Sequence, residues 1–212
     1  MPQFVHLHVH TQYSILDGQA SVQRLVDKAM ADGQPGIAVT DHGDMFGIKE
    51  FYNYVQKVKG KCKDKAAEAE ARIAALRDGT ETCADPAAEI AKCERQLEEC
   101  RRKLAFKPII GCEVYVAPRG RTRFQKVHEF DAAFSHLVLL CRNEEGYRNL
   151  SYMVSQAFLE GFYIKPRIDL DLLREHCGGL IACSACLGGE LPKLLLAGEY
   201  EQAKAVALEM RE

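Results

Sequence analysis

The chain has no run of about 18 apolar residues, no excess of charge of either sign and only seven histidines. The missing apolar run excludes a membrane-spanning helix. With 28 Lys+Arg against 30 Asp+Glu, the net charge is −2. Strong nonspecific attraction to nucleic acid, which shows as a basic excess, is therefore not evident. Contact with phosphates would come from local patches, from bound cations or from protein beyond this chain. Cys183 and Cys186 form a C-x2-C, but a second such pair is absent, so a structural zinc site of four thiolates is unsupported. Nine cysteines, an odd count, with no basic–apolar–small leader pattern, read as reduced thiols in a cytoplasm. At 212 residues and 47% hydrophobic, the chain suits one domain with a full core or a piece of a larger one.

Histidine is scarce, yet "FVHLHVH" (4–10) puts His6, His8 and His10 on alternate positions. Val5, Leu7 and Val9 then share the other face, which is the period of a strand. Alternate strand positions point the same way, so two imidazoles can meet one ion. A lone histidine is usually an ordinary polar residue. Three in five positions on a buried strand favour ligation, because unpartnered imidazoles are costly to bury. A pair suffices, and His6 is read as hydrogen-bonding within the site.

The rest of the opening is strand–helix–strand–helix: "ASVQRLVDKAMADG" with Ser21 as N-cap and Gly33 as stop, "PGIAVTDHG" as a buried strand, "FGIKEFYNYVQKV" as a helix. That order predicts parallel α/β architecture. Residues 61–105 break it with balanced charge and two apolar seams, Ala66–Ala69–Ile73–Leu76 and Ile90–Cys93–Leu97–Cys100–Leu104. They predict a helical hairpin inserted between core units, solvated rather than nucleic-acid-binding. Strands at "KPIIGCEVYVA", "SHLVLLCRN" and "GGLIACSACLGG" follow, with helices at "EEGYRNLSYMVSQAFLEGF", "ELPKLLLAG" and "EYEQAKAVALEMRE". The last helical pattern has no terminator, which suggests an excised fragment.

Metal-competent residues gather near strand ends. His8 and His10 close the first strand and Asp41-His42 the second; Glu113 lies on the third, His136 opens the fourth and Cys186 follows the fifth. In βα-barrels catalytic groups cluster at the C-terminal rim. His136, at the start of its strand, fits this least well. Asp17 sits in a "DG" turn beside the histidine strand and is a candidate ligand; Asp41 could cap a helix or support its neighbour. Glu113, a carboxylate inside an apolar strand, fits a bridge between two cations. Arg119, Arg121 and Arg123, with Lys165 and Arg167 further on, are candidate phosphate contacts, though solvated loops are the default for such residues.

Taken together, "HLHVHTQYSILDG", "AVTDHG", "KPIIGCEVYVA", "SHLVLLCRNEEGYRNL", "GFYIKPRID" and "LIACSACLGGELP" resemble the polymerase and histidinol phosphatase (PHP) domain of bacterial replicative polymerase alpha subunits. The likeness spans nearly the whole chain except 61–105. It implies a distorted (β/α)7 TIM-like barrel, here C-terminally truncated and carrying the hairpin, with up to three divalent metal ions. The ligand positions fall on His8, His10, Asp17, His42, Glu113, His136 and Cys186, with Glu113 bridging and His6 and Asp41 in support. A later Asp-x-His motif of the family lies beyond residue 212. Imidazole and thiolate favour zinc; carboxylates admit manganese or magnesium. Such cations lower the pKa of bound water from 15.7 to about 7, so hydroxide needs no protein nucleophile. The implied activity is 3′–5′ exonucleolytic proofreading within a DNA-directed DNA polymerase. DNA, the other polymerase domains and replisome subunits are the implied partners, in the cytoplasm and away from membranes. The rival expectations are a catalytically silent interaction module of the polymerase and a stand-alone phosphatase; an amidohydrolase shares His-x-His but fits Asp41-His42 poorly.

Overall fold

The computed structural model describes residues 4–122 and 127–211. No helix among them is long and apolar enough to cross a membrane. Contacts divide the chain into two units. One comprises the chain up to Val5, Val22–Ile37 and Lys49–Pro108; the other comprises His6–Ser21, Ala38–Ile48 and Ile109 onward.

In the first unit, α1 (Val22–Ala31) buries Val22, Val26 and Ala29, an i, i+4, i+7 stripe. It stops where the sequence says it should. Gly33 takes φ +73°, its N–H reaches Met30 O at 3.2 Å, and Gln34 N–H reaches Ala29 O at 3.0 Å. That is a Schellman ending, open to glycine because the left-handed region carries no Cβ penalty there. The next helix, α2 (Ile48–Asp78), runs 31 residues without a break. The helix expected at "FGIKEFYNYVQKV" and the first hairpin arm expected from 61 are therefore one element. Gly60 is its only internal breaker, and one helical glycine costs about 1 kcal/mol. α3 (Pro86–Ala105) is capped by Asp85, which accepts from Ala88 N–H at 3.0 Å, with proline at the first helical position. Ala69, Ile73, Cys93 and Leu97 pack as one cluster with Ala66 and Ile90 against it, so the two seams meet.

Five strands form one mixed sheet: β1 (Gly36–Val39), β2 (Lys107–Val116), β3 (Ser135–Cys141), β4 (Arg167–Ile168) and β5 (Leu180–Cys183). Their order is β1-β2-β3-β5, with β4 beside β2. β2 and β4 are parallel, but β3 runs antiparallel to both β2 and β5. The all-parallel sheet expected from the opening pattern is not what forms. Among its described residues the β2–β3 link holds only α4 (His128–Asp131), not the long crossover helix a parallel return uses. Residues 4–10 also depart from expectation. They run extended, their carbonyls accepting from β1 and its exit (Ala38 N–H to His6 O and Thr40 N–H to Val9 O, both 2.9 Å), without a ladder. Three residues on one side span two on the other, and that extra residue breaks regular pairing. Leu7 is accordingly 46% exposed rather than buried.

α5 (Glu144–Leu159), capped by Asn143 on Gly146 N–H, covers one sheet face. Its Leu150, Met153, Val154 and Ala157 pack with Cys112, Val114, Val116, Leu137 and Leu139. Ile168 and Leu172 join them, Leu172 from α6 (Leu170–Glu175). Because side chains alternate, the opposite face carries Gly111, Glu113 and Tyr115, paired with Leu140, Val138 and His136. Both faces are covered, which is why β2 reads as almost wholly apolar. Glu113 is the exception. α7 (Glu190–Leu196) and α8 (Tyr200–Glu209) complete the described chain.

Candidate metal centre

Glu113 is 1% exposed and sits among four imidazoles. Its Oε1 lies 3.6 Å from His8 Nε2 and 2.9 Å from His136 Nδ1. Its Oε2 lies 3.5 Å from His10 Nε2 and 2.6 Å from His42 Nδ1. Cys186 Sγ is 4.0 Å from Oε1 and 3.6 Å from His136 Nδ1. Two groups of potential ligands thus share one carboxylate: His8–His10–Glu113 and Glu113–His136–Cys186. His42 bonds outward to Asp17 Oδ2 at 3.0 Å, which ties the more exposed Asp17 to the same cluster.

The backbone explains the convergence. His42 and Glu113 form a parallel bridge, with Glu113 N–H bonded to Asp41 O and Gly43 N–H to Glu113 O. His136 looked misplaced at the start of its strand. Because β3 is antiparallel to β2, its start lies at the C-terminal end of β2, opposite Tyr115. Cys186 comes in on a tight turn after β5, with Ala185 at φ +62°. Gly189 closes this turn, where a Cβ would lie 2.2 Å from Ser184 O. The Cys186 sulfur already accepts Gly188 N–H at 3.3 Å. Cys183 packs beside Ala38, Val138 and Leu140.

Proton counting fixes the His10 tautomer. Ser14 Oγ donates its one proton to Asp41 Oδ1 (2.8 Å) and accepts His42 N–H (3.1 Å). Its remaining contact, His10 Nδ1 at 3.0 Å, must therefore come from an Nδ1–H. Thr40 Oγ1 accepts Val9 N–H and lies 2.9 Å from His8 Nδ1, which turns His8 Nε2 toward Glu113. The bare Nε2 lone pair of neutral His10 then faces Glu113 Oε2. Two acceptors at about 3.5 Å repel unless a cation lies between them. Ligands about 2.0–2.1 Å from a tetrahedral zinc sit roughly 3.3–3.4 Å apart. The buried atoms Glu113 Oε2 and His42 Nδ1, close but misaligned, are also left without a hydrogen bond. The donor set fits a divalent cation. Ser14 and Thr40, which the sequence reading passed over, orient the two imidazoles as outer partners of a metal site do.

Electrostatics agree. Burial pushes the Glu113 carboxyl up, but the close approach of His42 and the other imidazoles outweighs it and holds it below the usual range. The Glu113 carboxylate in turn raises His42. Burial and then His42 lower His10, which favours the neutral ligand form. The His42 bond lowers Asp17. Burial lifts Asp44 to about 6 and Tyr115 to about 12.

The supporting residues divide. Asp41, 1% exposed, accepts from Thr11 N–H, Thr11 Oγ1 and Ser14 Oγ, bracing the loop that carries Asp17. His6 is exposed and lies outside both ligand groups. Among the candidate phosphate contacts, Arg121 bonds Asp169 and Glu160, and Arg167 is buried with its guanidinium on Gly161 O and Asp131 O. Both are structural here, because their positive charge is already engaged by protein acceptors. Arg119 is exposed, and Arg123 lies outside the described residues. Lys165 Nζ stands 5.4 Å over the Tyr115 ring, which stacks 6.0 Å from His42.

A model of the PHP domain matches residues 6–212. The chain is 40% identical to a DNA polymerase III subunit alpha of Treponema pallidum over 208 residues, 98% of this chain and 14% of that protein. It is 38% identical to the subunit of Thermus aquaticus (96% of this chain, 13% of that protein) and 32% to that of Helicobacter pylori (99% and 14%). The chain thus spans only about one-seventh of the length of these relatives.

Proposed function

As the chain belongs to the PHP domain family, we propose that its cluster holds divalent cations and hydrolyses the terminal phosphodiester at the 3′ end of a DNA strand. The observation that carries this reading is the buried Glu113, faced by the Nε2 atoms of His8 and His10 and grouped also with His136 and Cys186. His8, His10 and Glu113 would hold one cation; Glu113, His136 and Cys186 a second; Asp17 and His42 would contribute to a third. Zinc suits imidazole and thiolate, while manganese or magnesium suits the carboxylates. When bound, such ions polarise phosphoryl oxygens and acidify water.

The chain's own residues do the rest. Ser14 keeps the His10 proton on Nδ1, so that Nε2 stays available, and Thr40 orients the His8 ring. Glu113 balances positive charge at the centre. Asp41 holds the Asp17 loop in place. Lys165 supplies a fixed positive charge for the phosphate beside Tyr115.

In the wider reading, the sheet is part of a distorted seven-unit barrel, and 61–105 is an insertion in it. The protein that carries this domain would be a replicative DNA polymerase, working in the cytoplasm with DNA and other replisome subunits. The test is a 5′-labelled single-stranded oligonucleotide incubated with the chain and manganese or zinc. A ladder shortening from the 3′ end, abolished by EDTA and by His8→Ala, is expected. Intact oligonucleotide with metal stoichiometrically bound would refute the nuclease reading.

A further inference from the structure

Beside the cluster, the chain makes a turn that its sequence resists. Lys165 N–H donates to Tyr163 O at 2.6 Å and Tyr163 N–H to Lys165 O at 3.1 Å, closing three residues on themselves. The central residue, Ile164, takes φ +62°. Left-handed backbone is a true outlier for a β-branched side chain, and three-residue turns of this hand are rare and strained. Ile164 packs little in return, for it is 59% exposed. Strain that local packing does not repay tends to mark positions held for another purpose.

The turn is held on both sides. Tyr163 lies under the buried Arg167 guanidinium at 5.7 Å and against His128 Nδ1 through its hydroxyl. Lys165 Nζ lies over the Tyr115 ring, which also stacks with His42. On the outside the same turn leaves Phe162 and Ile164 exposed. Phe162 stacks 6.3 Å from Phe158, which in turn lies 6.0 Å from Phe46, and Phe46 follows His42 by four residues. Phe46 and Phe162 are 65% and 53% exposed. The result is a row of aromatic faces open to solvent, with Lys165 three residues beyond Phe162 and over Tyr115.

We infer that the Phe46–Phe158–Phe162 ledge, set by the strained turn at Ile164, stacks the last bases of a single DNA strand while Lys165 draws its terminal phosphodiester toward the cluster. This rests on the phosphodiester reading above and adds how a strand end is gripped. The occupant follows from the pairing of features: aromatic faces stack every base without regard to sequence, and an adjacent cation tracks the backbone. A protein partner would explain the apolar row but not why its inner end carries Lys165 over the ring that abuts His42. A duplex end presents no unstacked base to the ledge.

The experiment uses oligothymidylate of eight residues with 5-iododeoxyuridine at its 3′ end, in EDTA so that binding is read apart from hydrolysis. Photocross-links should map by mass spectrometry to Phe46, Phe158 or Phe162. Phe162→Ala and Phe46→Ala, both on exposed rings, should each weaken binding by about fivefold or more, the range seen for loss of a base stack, with circular dichroism and zinc content unchanged. Lys165→Ala should weaken it further and flatten the salt dependence, and Lys165→Arg should restore it. Cross-links elsewhere, or both phenylalanine variants binding like wild type, would overturn the ledge even if hydrolysis persists. Cross-links on the ledge with no hydrolysis in any metal would overturn the nuclease reading alone and leave the ledge supported.

Discussion

Ser14→Ala should damage metal binding although Ser14 is no ligand. Its hydroxyl takes one hydrogen bond from His10 Nδ1 and another from His42 N–H, and gives its proton to Asp41. Alanine leaves two donors unsatisfied in and beside the cluster. An unsatisfied buried donor costs about 1–3 kcal/mol; with His10 only partly buried, roughly 2–3 kcal/mol in all is a fair sum. For a chain of this size that lowers Tm by about 5–10 °C. The sharper effect is on the metal. His10 loses the partner that fixes its ring and tautomer, and removal of such outer partners weakens metal affinity about 10–100-fold. Competition against a chromophoric zinc chelator measures this directly, with Ser155→Ala as the control, since Ser155 is exposed and bonds only the Ser151 carbonyl among the contacts described. Nitrogen-15 NMR of the imidazoles should show His10 protonated on Nδ1 in the zinc-loaded protein. Zinc affinity within twofold of wild type would refute the tautomer argument, whatever happens to Tm.

Other perturbations separate site from scaffold. Glu113→Gln keeps the shape but removes the shared charge, and should cut zinc affinity by at least tenfold while the His42 pKa, raised by Glu113, falls back in NMR titration. Met153→Ala empties a fully buried position in the α5 core and should cost about 2–5 kcal/mol in urea unfolding, with zinc stoichiometry retained in the folded fraction. Asp169 caps α6 and pairs with Arg121. Burial opposes its charge, but the Arg121 and Leu172 N–H bonds win and hold its pKa low. A carboxylate lowered in the folded state stabilises above its unfolded pKa of about 3.9 and loses that contribution as pH falls through the folded value. Asp169→Asn should therefore be less stable at pH 7 and lose less than wild type on acidification below about pH 4, as read from urea midpoints.

Periodicity and punctuation made much of this legible beforehand. Gly33 marks its helix end as its chemistry requires, and the hairpin seams meet because small and branched residues recur every three or four positions. The convergence of His8, His10 and Glu113 was legible because a histidine run and a lone glutamate in an apolar strand have few other reasons to exist. Strand direction was not. His136 looked misplaced only because a parallel sheet was assumed; nothing local in "SHLVLLC" says that its strand runs back along β2. The arginines misled for a related reason: Arg121 and Arg167 meet Glu160, Asp169 and two carbonyls that are distant from them in sequence or structurally unannounced. Ser14 and Thr40 were invisible because a hydroxyl gains meaning only from what faces it.

Native mass spectrometry of the metal-stripped chain titrated with zinc addresses the account at its centre. Glu113 shared between two ligand groups requires at least two zinc ions per chain, with His10→Ala losing one and Cys186→Ala losing a different one. A chain that retains no zinc at micromolar concentrations, or variants that both load like wild type, would contradict it.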